Sequence, residues 1–219
     1  MVNRILIRIK VLQIVYAYYQ NGNGDLKSAE NDLQFSLKKS YELYLSFLLL
    51  LIEVTHLQNQ ILETKKGKYI PTEEELNPNM RFVNNRIVAQ LAADKSFWKQ
   101  VKDNGVSWDN DEDFVKRILD LILSSDVYAE YLEAEEDSYE RDLQFWVKAF
   151  KQLICDNEMI EEYLEDKSIF WNDDVEIIES FVLKTIKRLK ETQPVTAALL
   201  PMFKDEEDRT FAIKLLRQT

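Results

Sequence analysis

Glycine and proline are scarce, with four of each in 219 residues. Antiparallel β-structure turns every few residues and draws on both, so the shortage excludes a β-rich fold. With 46% hydrophobic and 31% charged residues, the sequence predicts an all-α protein, a multi-helix bundle with antiparallel helices. The single cysteine, Cys155, excludes an intramolecular disulfide, suits a reducing compartment and reads as a small apolar core residue. The single histidine, His56, has no nearby cysteine and no His or carboxylate four residues on. It reads as a helix residue rather than a metal ligand or catalytic base. No Gly-rich phosphate loop, nucleophile elbow or metal-spaced His/Cys cluster occurs, so neither an enzyme nor a bound metal or cofactor is expected. The N-terminal pattern is not that of a signal peptide, because charges are interspersed through its apolar run. The most apolar segment, residues 43–52, is too short and too interrupted to cross a bilayer. A cytoplasmic protein with no membrane partner follows as the expectation.

Acid is also missing from the start of the chain, where Asp25 is the first carboxylate. The net charge is −11, and residues 1–24 hold only Arg4, Arg8 and Lys10 as charged groups. The remainder therefore carries −14, which is −11 less that +3. Such a body repels nucleic acid, so any RNA contact must be local to the basic first helix. At 100° per residue, Ile5, Ile9, Leu12, Tyr16 and Tyr19 form one apolar arc of that helix. Ile7, Val11, Ile14 and Tyr18 form a second, roughly opposite. A helix apolar on two sides is expected to be central. Arg4 and Arg8 share a ridge, Gln13 opens a separate polar strip and Lys10 points elsewhere.

Residues 21–24, Asn-Gly-Asn-Gly, predict a sharp turn. Asp25 is the expected N-cap of a long helix reaching about Lys65, with residues 47–52 buried from several sides. Residues 65–80 read as a loop holding a short helical turn at 72–76, followed by helices over 81–91 and 94–102. The acids at 109–113 imitate a calcium loop, but Phe114 stands where its sharp-turn Gly belongs and Asp120 where its bidentate Glu belongs. They read as helix-start charges instead.

An internal repeat is the most informative pattern. A shift of 32 aligns residues 114–142 with 146–174, and nine of 29 positions are identical, against roughly two from average residue usage. Glu130-Tyr131-Leu132-Glu133 answers Glu162-Tyr163-Leu164-Glu165, Tyr139 meets Trp171, and Asp142 answers Asp174. A shift of 66 then pairs Asp142, Phe145, Lys148 and Gln152 with Asp208, Phe211, Lys214 and Gln218. Two regions are expected: 1–105 with the basic first helix and long second helix, and 106–219 with the acidic repeats.

Two stretches resemble the NusB family of bacterial transcription antitermination factors. Arg8-Ile9-Lys10-Val11-Leu12-Gln13-Ile14-Val15-Tyr16 resembles the family's opening helix, an arginine-rich start running into Gln-x-hydrophobic-Tyr. Asp208-Arg209-Thr210-Phe211-Ala212-Ile213-Lys214-Leu215-Leu216 is similar to the Asp-x-x-Phe-x-x-x-Leu-Leu segment that starts its third helix. The resemblance implies an RNA-binding regulator that acts with the ribosomal protein NusE on boxA-like RNA in the transcription elongation complex. By position it implies RNA contacts from Arg4, Arg8, Lys10, Gln13 and Tyr16, with Tyr16 or Tyr18 stacking on an unpaired base. Ile5, Leu6 and Ile7 replace most of the arginine-rich start, which removes phosphate contacts.

It also implies a long insertion before the third-helix segment and a truncation before the family's C-terminal subdomain. The apolar face of the last helix, with Phe211 and Leu215, is then expected to be exposed, or closed in a homodimer. The alternative to RNA binding is a non-catalytic helical interaction scaffold, in which Glu130, Glu133, Glu162 and Glu165 face a basic partner.

Overall fold

The computed structural model describes residues 1–20, 22, 25–203 and 205–219. The protein is all-α: among the described residues there are eleven α-helices and no β-strand. Helix α1 (Arg4–Gln20) begins where the Asn3 Oδ1 accepts the backbone N–H groups of Ile5 and Leu6 at 3.0 and 2.9 Å. Of the turn expected at 21–24, only Gly22 is described, with φ 75°, a conformation open to a residue without Cβ. The other three residues of that turn lie outside the described residues.

Helix α2 (Leu26–Lys66) follows Asp25, whose Oδ1 accepts the Lys27 N–H at 3.2 Å. A helix of 41 residues is held by packing more than by propensity, and every residue from 43 to 52 is buried. By length and composition α2 would suffice to cross a membrane, and 61% of its most apolar window is buried inside the protein. Helix α3 (Glu73–Leu76) is a single turn, closed by a Thr72–Glu75 capping box.

The helix expected over 81–91 starts five residues late. Residues 81–84 form a turn, and buried Asn85 caps α4 (Arg86–Ala93) by accepting from the N–H groups of Ile87 and Val88. Helix α5 (Lys95–Asp103) is capped by Asp94, and α6 (Glu112–Leu123) carries Glu112 and Asp113 in its first turn. There follow α7 (Asp126–Glu133), α8 (Tyr139–Ala149), α9 (Glu158–Lys167), α10 (Val175–Arg188) and α11 (Glu206–Gln218). A π-helical turn, Phe150–Ile154, extends α8, and Val195–Ala197 forms a 3₁₀ turn. Cys155 follows the π turn half-buried rather than in the core.

The chain divides into two compact units, and the division does not follow the boundary expected near residue 105. The first comprises Met1–Tyr44, Glu158–Phe181 and Leu199–Thr219; the second comprises Leu45–Asn157 and Val182–Ala198. In the first, α1 packs on α11, and Val2 and Phe203 form an isolated parallel bridge in which the Val2 N–H donates to the Met202 carbonyl at 2.7 Å. Leu6, Ile7, Leu33, Leu37, Leu164 and Ala212 are among its buried residues. In the second, an aromatic cluster fills the core. Tyr131 stacks on Phe145 at 4.3 Å, and Phe82 meets Tyr128, Phe145 and Trp146 at 5.6 to 5.8 Å. Such pairs contribute about 0.5–1.5 kcal/mol each beyond their buried area.

Helix α1 is not central. Its second arc faces inward, with Ile7 and Val11 buried beside Leu6 and Lys10. The first faces outward, with Ile5, Leu12, Tyr16 and Tyr19 each exposed by 59% or more. The last helix also departs from expectation. Ala212 and Leu216 of α11 are buried, and Phe211 and Leu215 are half-buried, because α11 lies against α1 within one chain.

The repeat-aligned aspartates all lie near helix starts, though not at the same helix position. Asp142 lies in the first turn of α8, Asp174 immediately precedes α10 and Asp208 lies near the start of α11. All three are buried, and each is paired with a cation: Asp142 with Arg86 at 3.0 Å, Asp174 with Lys10 at 2.8 Å and Asp208 with Arg4 at 3.8 Å.

Candidate nucleic-acid interface

The five residues implicated by sequence all lie on α1, but the structure separates them. Arg8 is exposed on the outward face and has no ion-pair partner among the described residues. Tyr16 shares that face, and its Oη accepts from Gln20 Nε2 at 3.0 Å. Arg4, one turn before Arg8, has its guanidinium 5.2 Å above the Phe211 ring as well as its pairing with Asp208. Gln13 is half-buried, and its Nε2 donates to Asp173 Oδ2 at 2.6 Å.

Lys10 must be taken out of the surface cluster. Its side chain is 2% exposed, and its Nζ donates to the Phe170 carbonyl at 3.0 Å beside the Asp174 carboxylate. The lysine sits at a core-facing position of α1, where only a matched acid makes its charge tolerable. Asp174 has in turn the Ser40 hydroxyl as donor. Burial pushes the Asp174 carboxyl up, while Lys10 and Ser40 pull in the opposite direction without cancelling it. Reaching a phosphate would break this knot and leave a carboxylate buried alone.

What remains outward is a stripe of Ile5, Arg8, Leu12, Tyr16 and Tyr19, with Tyr18 half-buried and edge-on to Tyr19 at 5.7 Å. Exposed phenol rings offer π-faces for unpaired bases, and a free guanidinium further along the same face offers a phosphate contact. No acid of α1 interrupts this face. Sequence reasoning placed Tyr19 on the arc without assigning it to the site. It missed Asp174 and Asp208 as the partners of Lys10 and Arg4, although both were already marked by the repeat alignment.

Chemistry elsewhere is sparse. His56 is exposed, hydrogen-bonded to Gln60 at 2.9 Å, and lines a cleft of about 370 Å³ with Glu53, Trp108, Asp109 and Glu112. Burial raises the Glu53 carboxyl there. Among the described residues, no group of three His, Cys, Asp or Glu side chains could hold a metal ion. In the second unit, Asp142 accepts from the Tyr131 hydroxyl at 2.6 Å and from the Arg86 backbone at 2.9 Å. Burial is the main cause raising the Tyr131 phenol. This network ties α4, α7 and α8 together and exposes no reactive group.

Comparison with protein-family models, curated proteins and solved structures gives no match to this chain, so the NusB resemblance rests on the residues quoted for it.

Proposed function

We propose that the protein is a non-catalytic RNA-binding regulator of the NusB type, cytoplasmic, acting with NusE on boxA-like single-stranded RNA. The observation that carries the proposal is the outward stripe of α1, where Arg8 stands free on the same face as exposed Tyr16 and Tyr19, more than two turns further along the helix. Lys10 has no part in it, and Gln13 serves α1 by holding Asp173. Binding of a boxA-like RNA, with and without NusE, across a salt series tests the proposal. Arg8→Ala should weaken binding and flatten its salt dependence by about 0.7 in slope. Tyr16→Ala should cost about 1–3 kcal/mol if a base stacks on it. Unchanged affinity in both variants, with unchanged helicity, would remove α1 from any RNA site.

A scaffold role is the second reading, favoured by the exposure of Glu130, Glu133, Glu162 and Glu165 on the repeat helices. Reversing those four charges should abolish capture of a basic protein on this reading, while RNA affinity is negligible throughout. Capture that survives the reversal would leave the acids as solvated surface.

A further inference from the structure

Arg4 and Lys10 are both matched by repeat-aligned aspartates, but the two pairs differ in kind. Lys10 and Asp174 meet at 2.8 Å with side chains 2% and 0% exposed, so neither charge can leave without stranding the other. Arg4 Nε lies 3.8 Å from Asp208 Oδ1, longer than a hydrogen bond, and the Arg4 side chain is 58% exposed. The Asp208 side chain is sheltered at 12% exposure, so the solvated end of the pair is Arg4, which can exchange its long contact for another anion. Asp208 has a reason of its own to stay in place. It lies near the start of α11, where negative charge is favoured, and its N–H donates to Asp205 Oδ1 at 3.0 Å. Arg4 is thus the mobile partner, on the same ridge as Arg8.

We propose that Asp208 sets the RNA affinity of the α1 face by holding Arg4 in an intramolecular ion pair that an RNA phosphate must displace. The proposal rests on the RNA-binding reading above and names the residue that limits it. A phosphate arriving at Arg8 has a second guanidinium one helical turn away, already neutralised by a carboxylate. Engaging it means exchanging one anion for another and lifting the guanidinium from the face of Phe211. Asp208 therefore acts on RNA binding through Arg4, by the ion pair that has to be given up.

The test compares wild type, Asp208→Asn, Arg4→Ala, Arg8→Ala and the Arg4→Ala/Asp208→Asn double variant on a boxA-like single-stranded RNA across a salt series. Asp208→Asn should bind about two- to fivefold more tightly and steepen the salt slope by about 0.7. The gain should vanish when residue 4 is alanine. In the wild-type protein, the ring resonances of Phe211 should move when RNA is added, because Arg4 leaves its face. The proposal is overturned if Arg8→Ala weakens binding while Asp208→Asn does not strengthen it, if the gain persists without Arg4, or if the Phe211 resonances stay fixed at saturating RNA. If Arg8→Ala changes nothing, the RNA reading itself fails. Should Asp208→Asn fail to fold, the Phe211 titration on the wild-type chain decides.

Discussion

At the scale of single residues, Lys10 shows what a charge inside an apolar helix face requires. Lys10→Met keeps the volume but strands Asp174 at 0% exposure, and removal of one partner from a buried pair costs about 3–5 kcal/mol. Urea unfolding should show that loss, with most of it recovered in Lys10→Met/Asp174→Asn. The pH dependence has a defined sign. Burial already raises the Asp174 carboxyl, and loss of Lys10 removes the chief opposing influence. A carboxyl raised in the folded state stabilises while protonated, below its ordinary value, and that stability is lost as pH rises through the folded value. The melting temperature of Lys10→Met should therefore fall as pH rises from the ordinary carboxylate range towards neutrality, more steeply than that of wild type; a flat difference would mean that Asp174 is rehydrated. The sequence placed Lys10 off the Arg4–Arg8 ridge. It did not show that the off-ridge direction was inward, because helical periodicity gives angles around an axis and not which side meets the core. The acid that reverses the usual meaning of a lysine lies 164 residues further on.

Elements were more legible than partners. Helix α2 ends one residue beyond its expected limit because Asp25 and the glycine at 67 are local signals, and the Thr72–Glu75 box was readable as a single turn. Helix α4 was misplaced for a reason of geometry. Phe82, Val83 and Ile87 have helical spacing, yet buried Asn85 takes the cap position and spends its side chain on the N–H groups of α4. Asn85→Ala should cost about 1–2 kcal/mol, measured by thermal unfolding, whereas Asn84→Ala, on an exposed neighbour, should stay within about 0.5 kcal/mol. Equal losses at the two positions would contradict this cap. The π turn at 150–154 carries no comparable sequence signal. Its Cys155 N–H reaches back five residues to the Phe150 carbonyl at 2.9 Å, and both Phe150 and Ile154 are buried.

For the whole molecule, charge is the controlling quantity. In a chain of net charge −11, α1 offers RNA Arg8 freely and Arg4 in competition, so about two phosphates can be neutralised from this helix. The dependence of log affinity on log salt should then have a slope no steeper than about −1.4 for a single strand. A much steeper slope would point to basic residues outside α1. The all-α class followed from the shortage of turn residues, but the two interleaved units could not be read from a linear pattern, since each is assembled from segments far apart in sequence. That interleaving bears on synthesis. The charged and polar side chains of α1 described above find their partners from Phe170 onward: Lys10 at the Phe170 carbonyl and Asp174, Gln13 at Asp173, and Arg4 at Asp208 and Phe211. At translation rates of 5–20 residues per second, α1 waits about 10–30 s on the ribosome for those partners. During that interval Lys10 lacks Asp174 and Arg4 lacks Asp208, so the charges of α1 stay hydrated until the end of the chain has been made.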